Sequence, residues 1–137
     1  MGRRATGGRE VIASGLQYPN GVEVDADNMV YVAENSGARV RQIDAYTGDQ
    51  WIVANGLVQP NGVILSPDGN TLYVGSFGGG LIYAIDRLGP TEWDVPRVLY
   101  DPPGPDGGFD GINVDACGNV YITEYTVGRV YRISPTG

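Results

Sequence analysis

The stretch PNGVILSPDGNTLYVGSF, Pro60 to Phe77, decides the fold. An Asn-Gly pair opens it, an alternating strand follows, and a Pro-Asp-Gly-Asn turn leads into a second apolar run centred on Tyr73. Alternation at period two on both sides of a tight turn predicts paired antiparallel strands rather than a helix. The chain then passes through a glycine-rich turn into LIYAID, Leu81 to Asp86, which extends the meander by a third strand.

The same string occurs twice more. PNGVEVDADNMVYVAEN from Pro19 runs on into RVRQID, and FDGINVDACGNVYITEY from Phe109 runs on into RVYRIS. Val22, Val63 and Ile112 correspond, as do Val24, Leu65 and Val114, then Tyr31, Tyr73 and Tyr121, then Ile43, Ile85 and Ile133. The Asx residues Asn20, Asn61 and Asp110 stand 41 and 49 positions apart. A unit of ~40 to 45 residues with about four strands is a propeller blade. The fold class is therefore all-β: a β-propeller of three four-stranded antiparallel blades, over about 15–56, 57–104 and 105–137, after a flexible N-terminus at 1–8.

Fourth strands are expected at Gln50 to Asn55 and at Arg97 to Asp101, but none follows the third blade before Gly137. At the other end, VIASGLQYPNG from Val11 aligns without a gap to IVANGLVQPNG from Ile52. Residues 10–14 thus read as a closing strand whose blade lies elsewhere. Known propellers need four to eight blades to close. Two arrangements satisfy that: a homodimer forming a six-bladed ring, each N-terminal strand completing the partner's third blade, or a fragment of a longer six-bladed protein.

Composition narrows the partners. A net charge of -7 with no basic cluster argues against nucleic acid and against an anionic membrane. No apolar run of signal-peptide or membrane-spanning length is present, so the expected location is cytoplasmic. Cys117 is the single cysteine, which excludes an intrachain disulfide. Without histidine, Gly-x-Ser-x-Gly or a phosphate loop, Ser-His-Asp chemistry is excluded.

With these repeats in hand, the chain resembles the senescence-marker-protein/gluconolactonase family of six-bladed propellers. PNGVILSPDGNTLYVGS followed by IYAID is similar to that family's Asn-bearing blade, and FDGINVDACGNVYITEY to its Asp-bearing blade. The resemblance implies that Asn61 and Asp110 are ligands of a divalent metal, usually Ca²⁺, on the propeller axis. Asn20, at the corresponding place, is implied as a further ligand or a substrate contact. The family's early Glu, in a Glu-Gly-Pro type motif, has no counterpart here.

The residues favour the same positions independently, because the residue opening each innermost strand faces the central channel of a propeller. Amide and carboxylate oxygens suit a hard cation, Ca²⁺ or another divalent ion, and Ca²⁺ takes about six to eight of them. One chain offers three such side chains; two chains offer six. The competing reading is that Asx-Gly pairs are ordinary turn formers.

Strand two of each blade returns to the same face and brings Glu34 with Asn35, Ser76 with Phe77, and Glu124 with Tyr125 to its end. Glu34 and Glu124 are candidates for supplementary ligands or a general base, and Asp110 for proton handling; alternatively the two glutamates are solvated strand-end charges. Tyr18 and Phe109 are expected to wall the pocket under the segment DPPGPDGGF. Trp51 and Trp93 are expected in packing, and the Asp-rich turns at 25–28, 66–70 and 115–119 as tight turns rather than calcium loops. Two functions follow: a calcium-dependent hydrolase acting on a small-molecule lactone or related ester, or a non-catalytic binding scaffold.

Overall fold

The structure is a computed structural model, and it describes residues 7–103 and 107–137. Most of the expected flexible N-terminus, and residues 104–106 of the Pro- and Gly-rich segment, fall outside that range.

Eleven strands form three antiparallel meanders among the described residues. The first sheet has the order β1 (Pro19–Val24), β2 (Met29–Glu34), β3 (Arg39–Asp44), β4 (Gln50–Asn55). The second has the order β5 (Pro60–Leu65), β6 (Thr71–Ser76), β7 (Ile82–Asp86), β8 (Arg97–Tyr100). Among the described residues the third holds three strands, β9 (Phe109–Val114), β10 (Val120–Glu124) and β11 (Arg129–Ile133), with β10 in the middle. Residues 7–16 form no strand, and the Ile12 carbonyl lies against Gly48, in the turn between β3 and β4.

The turns between first and second strands are built by their acids. Asp25 accepts hydrogen bonds from the backbone N–H of Asp27 and Met29, and Asp115 from those of Cys117 and Asn119. The hydroxyls of Tyr31 and Tyr121 donate to the second oxygens of the same carboxylates, at 2.8 and 3.2 Å. These acids are spent on turn geometry, as the sequence suggested. Burial raises the Tyr31 phenol to about 12, helped by Asp25, against the opposing pull of Arg87.

Two apolar cores form, each between the facing surfaces of neighbouring blades. Tyr31, Ala33, Val40 and Val53 of the first blade meet Val63, Leu65, Leu72, Val74 and Ile85 of the second. Tyr73, Ile82, Ala84 and Leu99 of the second meet Phe109, Val120, Ile122 and Ile133 of the third. Each large side chain buried here contributes roughly 1.5–3 kcal/mol. The first core is sealed by Trp93, which meets Tyr31 edge-on at 5.6 Å, lies under the Arg87 guanidinium at 4.5 Å, and donates to buried Gln42. Trp93 thus belongs to the packing.

Candidate functional site

Each Asx-Gly pair lies in a β-bulge. Pro19 pairs with Glu34 and Val22 with Val32, leaving Asn20 and Gly21 opposite Ala33 alone. Asn61 and Gly62 likewise stand opposite Gly75, and Asp110 and Gly111 opposite Thr123. A bulge inserts one residue, breaks the ladder and re-aims the side chains beside it. The Asx residues are therefore released from strand alternation at one level in all three blades.

The bulges also bring the first strands of the blades together. β1 packs on β5, and β5 on β9. A Cβ added to Gly21 would run into the carbonyl oxygen of Asn61, and one added to Gly62 into that of Asp110. Glycine is thus required by close backbone approach, and Asn20, Asn61 and Asp110 follow one another on contiguous strands. Asn61 is buried, Asp110 half-buried and Asn20 exposed. Asn35 donates from its amide to the Pro60 carbonyl at 3.4 Å, tying the first blade to the residue before Asn61.

The chain enters each bulge through a left-handed residue. Tyr18 has φ 57°, Gln59 φ 44° and Gly108 φ 79°. Their carbonyls accept from the N–H of Asn35, Phe77 and Tyr125, which fixes the ends of the second strands beside the bulges. For Tyr18 and Gln59 this backbone is strained, and strain of that kind persists only where the surroundings impose it.

The second-strand ends divide into two rows. Glu34, Ser76 and Glu124 are equivalent and fully buried, whereas Asn35, Phe77 and Tyr125 emerge on the site face. Tyr125 is 74% exposed and stacks obliquely on Phe77 at 6.2 Å, and Tyr18 is exposed as well. Tyr18, Phe77 and Tyr125 are thus accessible aromatic groups. Phe109 is not: it is 0% exposed within the second core, edge-on to Tyr131 at 5.9 Å. Ser76 is also withdrawn, since its hydroxyl donates to the Val58 carbonyl and accepts from Gly79 N–H.

The two glutamates differ. Glu34 accepts from Arg39 Nε at 2.5 Å, Arg41 Nε at 2.7 Å and Gln17 N–H at 2.8 Å. Burial by itself raises a carboxyl, but the hydrogen bonds from Arg39, Gln17 and Arg41 prevail and hold Glu34 at about 2. A carboxylate held so low is a poor proton acceptor near neutral pH. Among the described residues Glu124 has one partner of this type, Arg129 Nε at 3.0 Å, and its buried Oε1 has no hydrogen-bond partner. Tyr131 stands where the first blade has Arg41.

Among the described residues, no three of His, Cys, Asp and Glu gather as a metal cluster. Any cation on the bulges would depend on Asn oxygens. The amides of Asn20 and Asn61 and the Asp110 carboxylate make no side-chain hydrogen bond to the described residues that would compete with such a role. Their donor chemistry fits a hard ion, while their number falls short of a Ca²⁺ shell. No helix among the described residues is long and apolar enough to cross a membrane.

A repeated four-stranded meander whose first strands adjoin at glycine contacts defines a β-propeller. The SMP-30/Gluconolactonase/LRE-like region matches residues 47–137, more than half of the chain, and the protein belongs to that family. Among solved structures it is similar to a gluconolactonase-type protein, with 23% identity and TM-score 0.78 over 98% of this chain and 52% of that one. It is similar to a gluconolactonase from Xanthomonas campestris, with 15% identity and TM-score 0.74 over 92% and 47%. It is also similar to virginiamycin B lyase from Staphylococcus aureus, with 21% identity and TM-score 0.72 over 87% and 39%. The chain thus spans about half the length of these proteins or less, and at these identities the likeness is one of fold. No curated protein matches the sequence.

Proposed function

We propose that this chain contributes to a calcium-dependent hydrolase of the gluconolactonase type, acting on a lactone or related ester once two copies enclose the site. One observation carries the reading: three β-bulges on adjoining strands present Asn20, Asn61 and Asp110 with side-chain oxygens not engaged by the described residues. These residues would hold a divalent cation, Ca²⁺ or a similar hard ion, which supplies Lewis acidity toward an ester carbonyl. Asp110 is the charged member of the set. Tyr18, Phe77 and Tyr125 supply apolar surface to seat the ring of the substrate. Of the strand-end glutamates, Glu124 retains an oxygen able to take a proton, while Glu34 serves to lock Arg39, Arg41 and Gln17.

Titration calorimetry with calcium tests this together with a proton-release assay on simple aliphatic lactones. Saturable calcium heat, lost in Asp110→Asn, with calcium-dependent turnover supports it. The locked state of Glu34 favours a second reading, a non-catalytic binding scaffold. A melting temperature indifferent to calcium, with no turnover, selects that one.

A further inference from the structure

We infer that the groove between the turns of the second and third blades, at the end of the strands away from the bulges, is a second binding site, which takes a neutral polyhydroxylated molecule of monosaccharide size between Tyr73 and Arg97. It is separate from the proposed metal site and does not depend on it.

A departure from the repeat creates the site. Tyr31, Tyr73 and Tyr121 hold one position in the three blades. The Tyr31 hydroxyl donates to Asp25 and accepts from Arg87 of the second blade, and the Tyr121 hydroxyl donates to Asp115. Ser66 stands where the other two blades have the aspartate, and its own hydroxyl donates to Asp68. Pro135 of the third blade stands where the second blade has Arg87. Both partners of Tyr31 are thus replaced around Tyr73. Among the described residues the Tyr73 hydroxyl makes no hydrogen bond, although the residue is only 4% exposed.

Tyr73 lines a groove of about 370 Å³, within the range of small-molecule sites. Tyr31, by contrast, is fully buried and lines no part of the equivalent groove between the first and second blades. Pro67 and Pro135 wall the Tyr73 groove from either side, and the blades close up at Gly118, where a Cβ would lie 3.3 Å from Pro135 and 4.0 Å from Pro67. Arg97 lines the same groove. Its hydrogen bonds to Asp86 are long, 3.3 and 3.4 Å, and its side chain is half-exposed. Exposed Cys117 completes the lining.

The donors and acceptors present select the ligand. Burial, opposed by Arg97, raises the Tyr73 phenol, which therefore keeps its proton at neutral pH and donates. That O–H and the remaining N–H groups of Arg97 call for acceptors, and a buried donor left without one is costly. An anion would meet Asp68, whose carboxyl the Ser66 hydroxyl holds below the usual range, with Asp86 behind Arg97. A cation would leave Tyr73 without an acceptor. Neutral hydroxyl groups satisfy every side chain: they accept from Tyr73 and Arg97 and donate to Asp68, while C–H faces lie on the two prolines. The volume suits one sugar ring.

Cys117, the single cysteine, reports on the groove. Its rate of alkylation by iodoacetamide is measured against D-glucose, D-galactose, D-mannose and D-xylose, with acetate and inorganic phosphate as anionic comparators. At least one sugar should slow alkylation saturably, in chelator as well as in calcium, and the anions should not. Tyr73→Phe removes an oxygen that has no partner among the described residues, so the fold should be kept while protection weakens about tenfold. Pro135→Arg, which supplies the cap that Arg87 places on Tyr31, should abolish protection; Tyr73→Phe carries the test if that variant does not fold. No protection by any of the four sugars, equal protection of the parent and Tyr73→Phe, protection by the anions alone, or protection that requires calcium would overturn the inference.

Discussion

The carbonyl oxygen of Asp110 occupies the space that a side chain on Gly62 would need. This contact joins the second blade to the third at the level of the candidate site, and the Gly21 to Asn61 contact repeats it one blade earlier. Gly62→Ala should therefore push β5 and β9 apart. Neither the Asp110 carbonyl nor Ile112, the next neighbour, can yield cheaply, and overpacking of this kind costs about 1–3 kcal/mol. Urea denaturation followed by circular dichroism would read the loss as a lower midpoint at unchanged slope.

Glu34→Gln should expose a pH dependence with a definite sign. The carboxyl is held at about 2 in the folded chain against an ordinary 4.5. Its stabilisation is therefore complete above pH 4.5 and disappears as the pH falls toward 2. At neutral pH the variant should be weaker by on the order of 3 kcal/mol, and the gap between the two proteins should close over that acid range. Melting temperatures measured from pH 7 downward give the comparison.

Asp110→Asn separates binding from folding. Asp110 makes no ion pair with the described residues, so the variant without calcium should keep its stability to within about 1 kcal/mol. The rise in melting temperature on adding calcium should vanish. Differential scanning fluorimetry in chelator and in calcium checks both halves.

Arg87→Ala should loosen the seal of the first core. The guanidinium covers Trp93, donates to the Gly69 and Pro90 carbonyls and to the Tyr31 hydroxyl, and pairs with Asp25 at 3.6 Å. A partly desolvated cation–π contact plus these hydrogen bonds is worth about 2 kcal/mol. Trp93 emission should move to longer wavelength before any unfolding, as water reaches the ring.

The architecture was legible because propeller blades repeat. Val22, Val63 and Ile112 announce one position three times, and β4 falls on Gln50–Asn55 as its sequence suggested. The bulges were not legible, since Asn-Gly and Asp-Gly read equally well as turns until the pairing of Pro60 with Ser76 and Val63 with Val74 is seen. Strand-end residues were the other difficulty. Glu34 and Asn35 are neighbours in sequence, but alternation sends one inward to Arg39 and Arg41 and the other onto the site face. The same parity places Ser76 inside and Phe77 outside. Phe109 precedes its bulge and so keeps the inward direction that Asp110 loses.

Both apolar cores draw about half of their members from the middle blade, and among the described residues the outer blades each share one. In a stack with nearest-neighbour coupling, that arrangement grades the protection of the backbone along the chain. In the isolated single chain, amide protons of β6 should exchange with deuterium last, and those of β1 and β11 first, so the order of exchange maps the position of each blade in the stack.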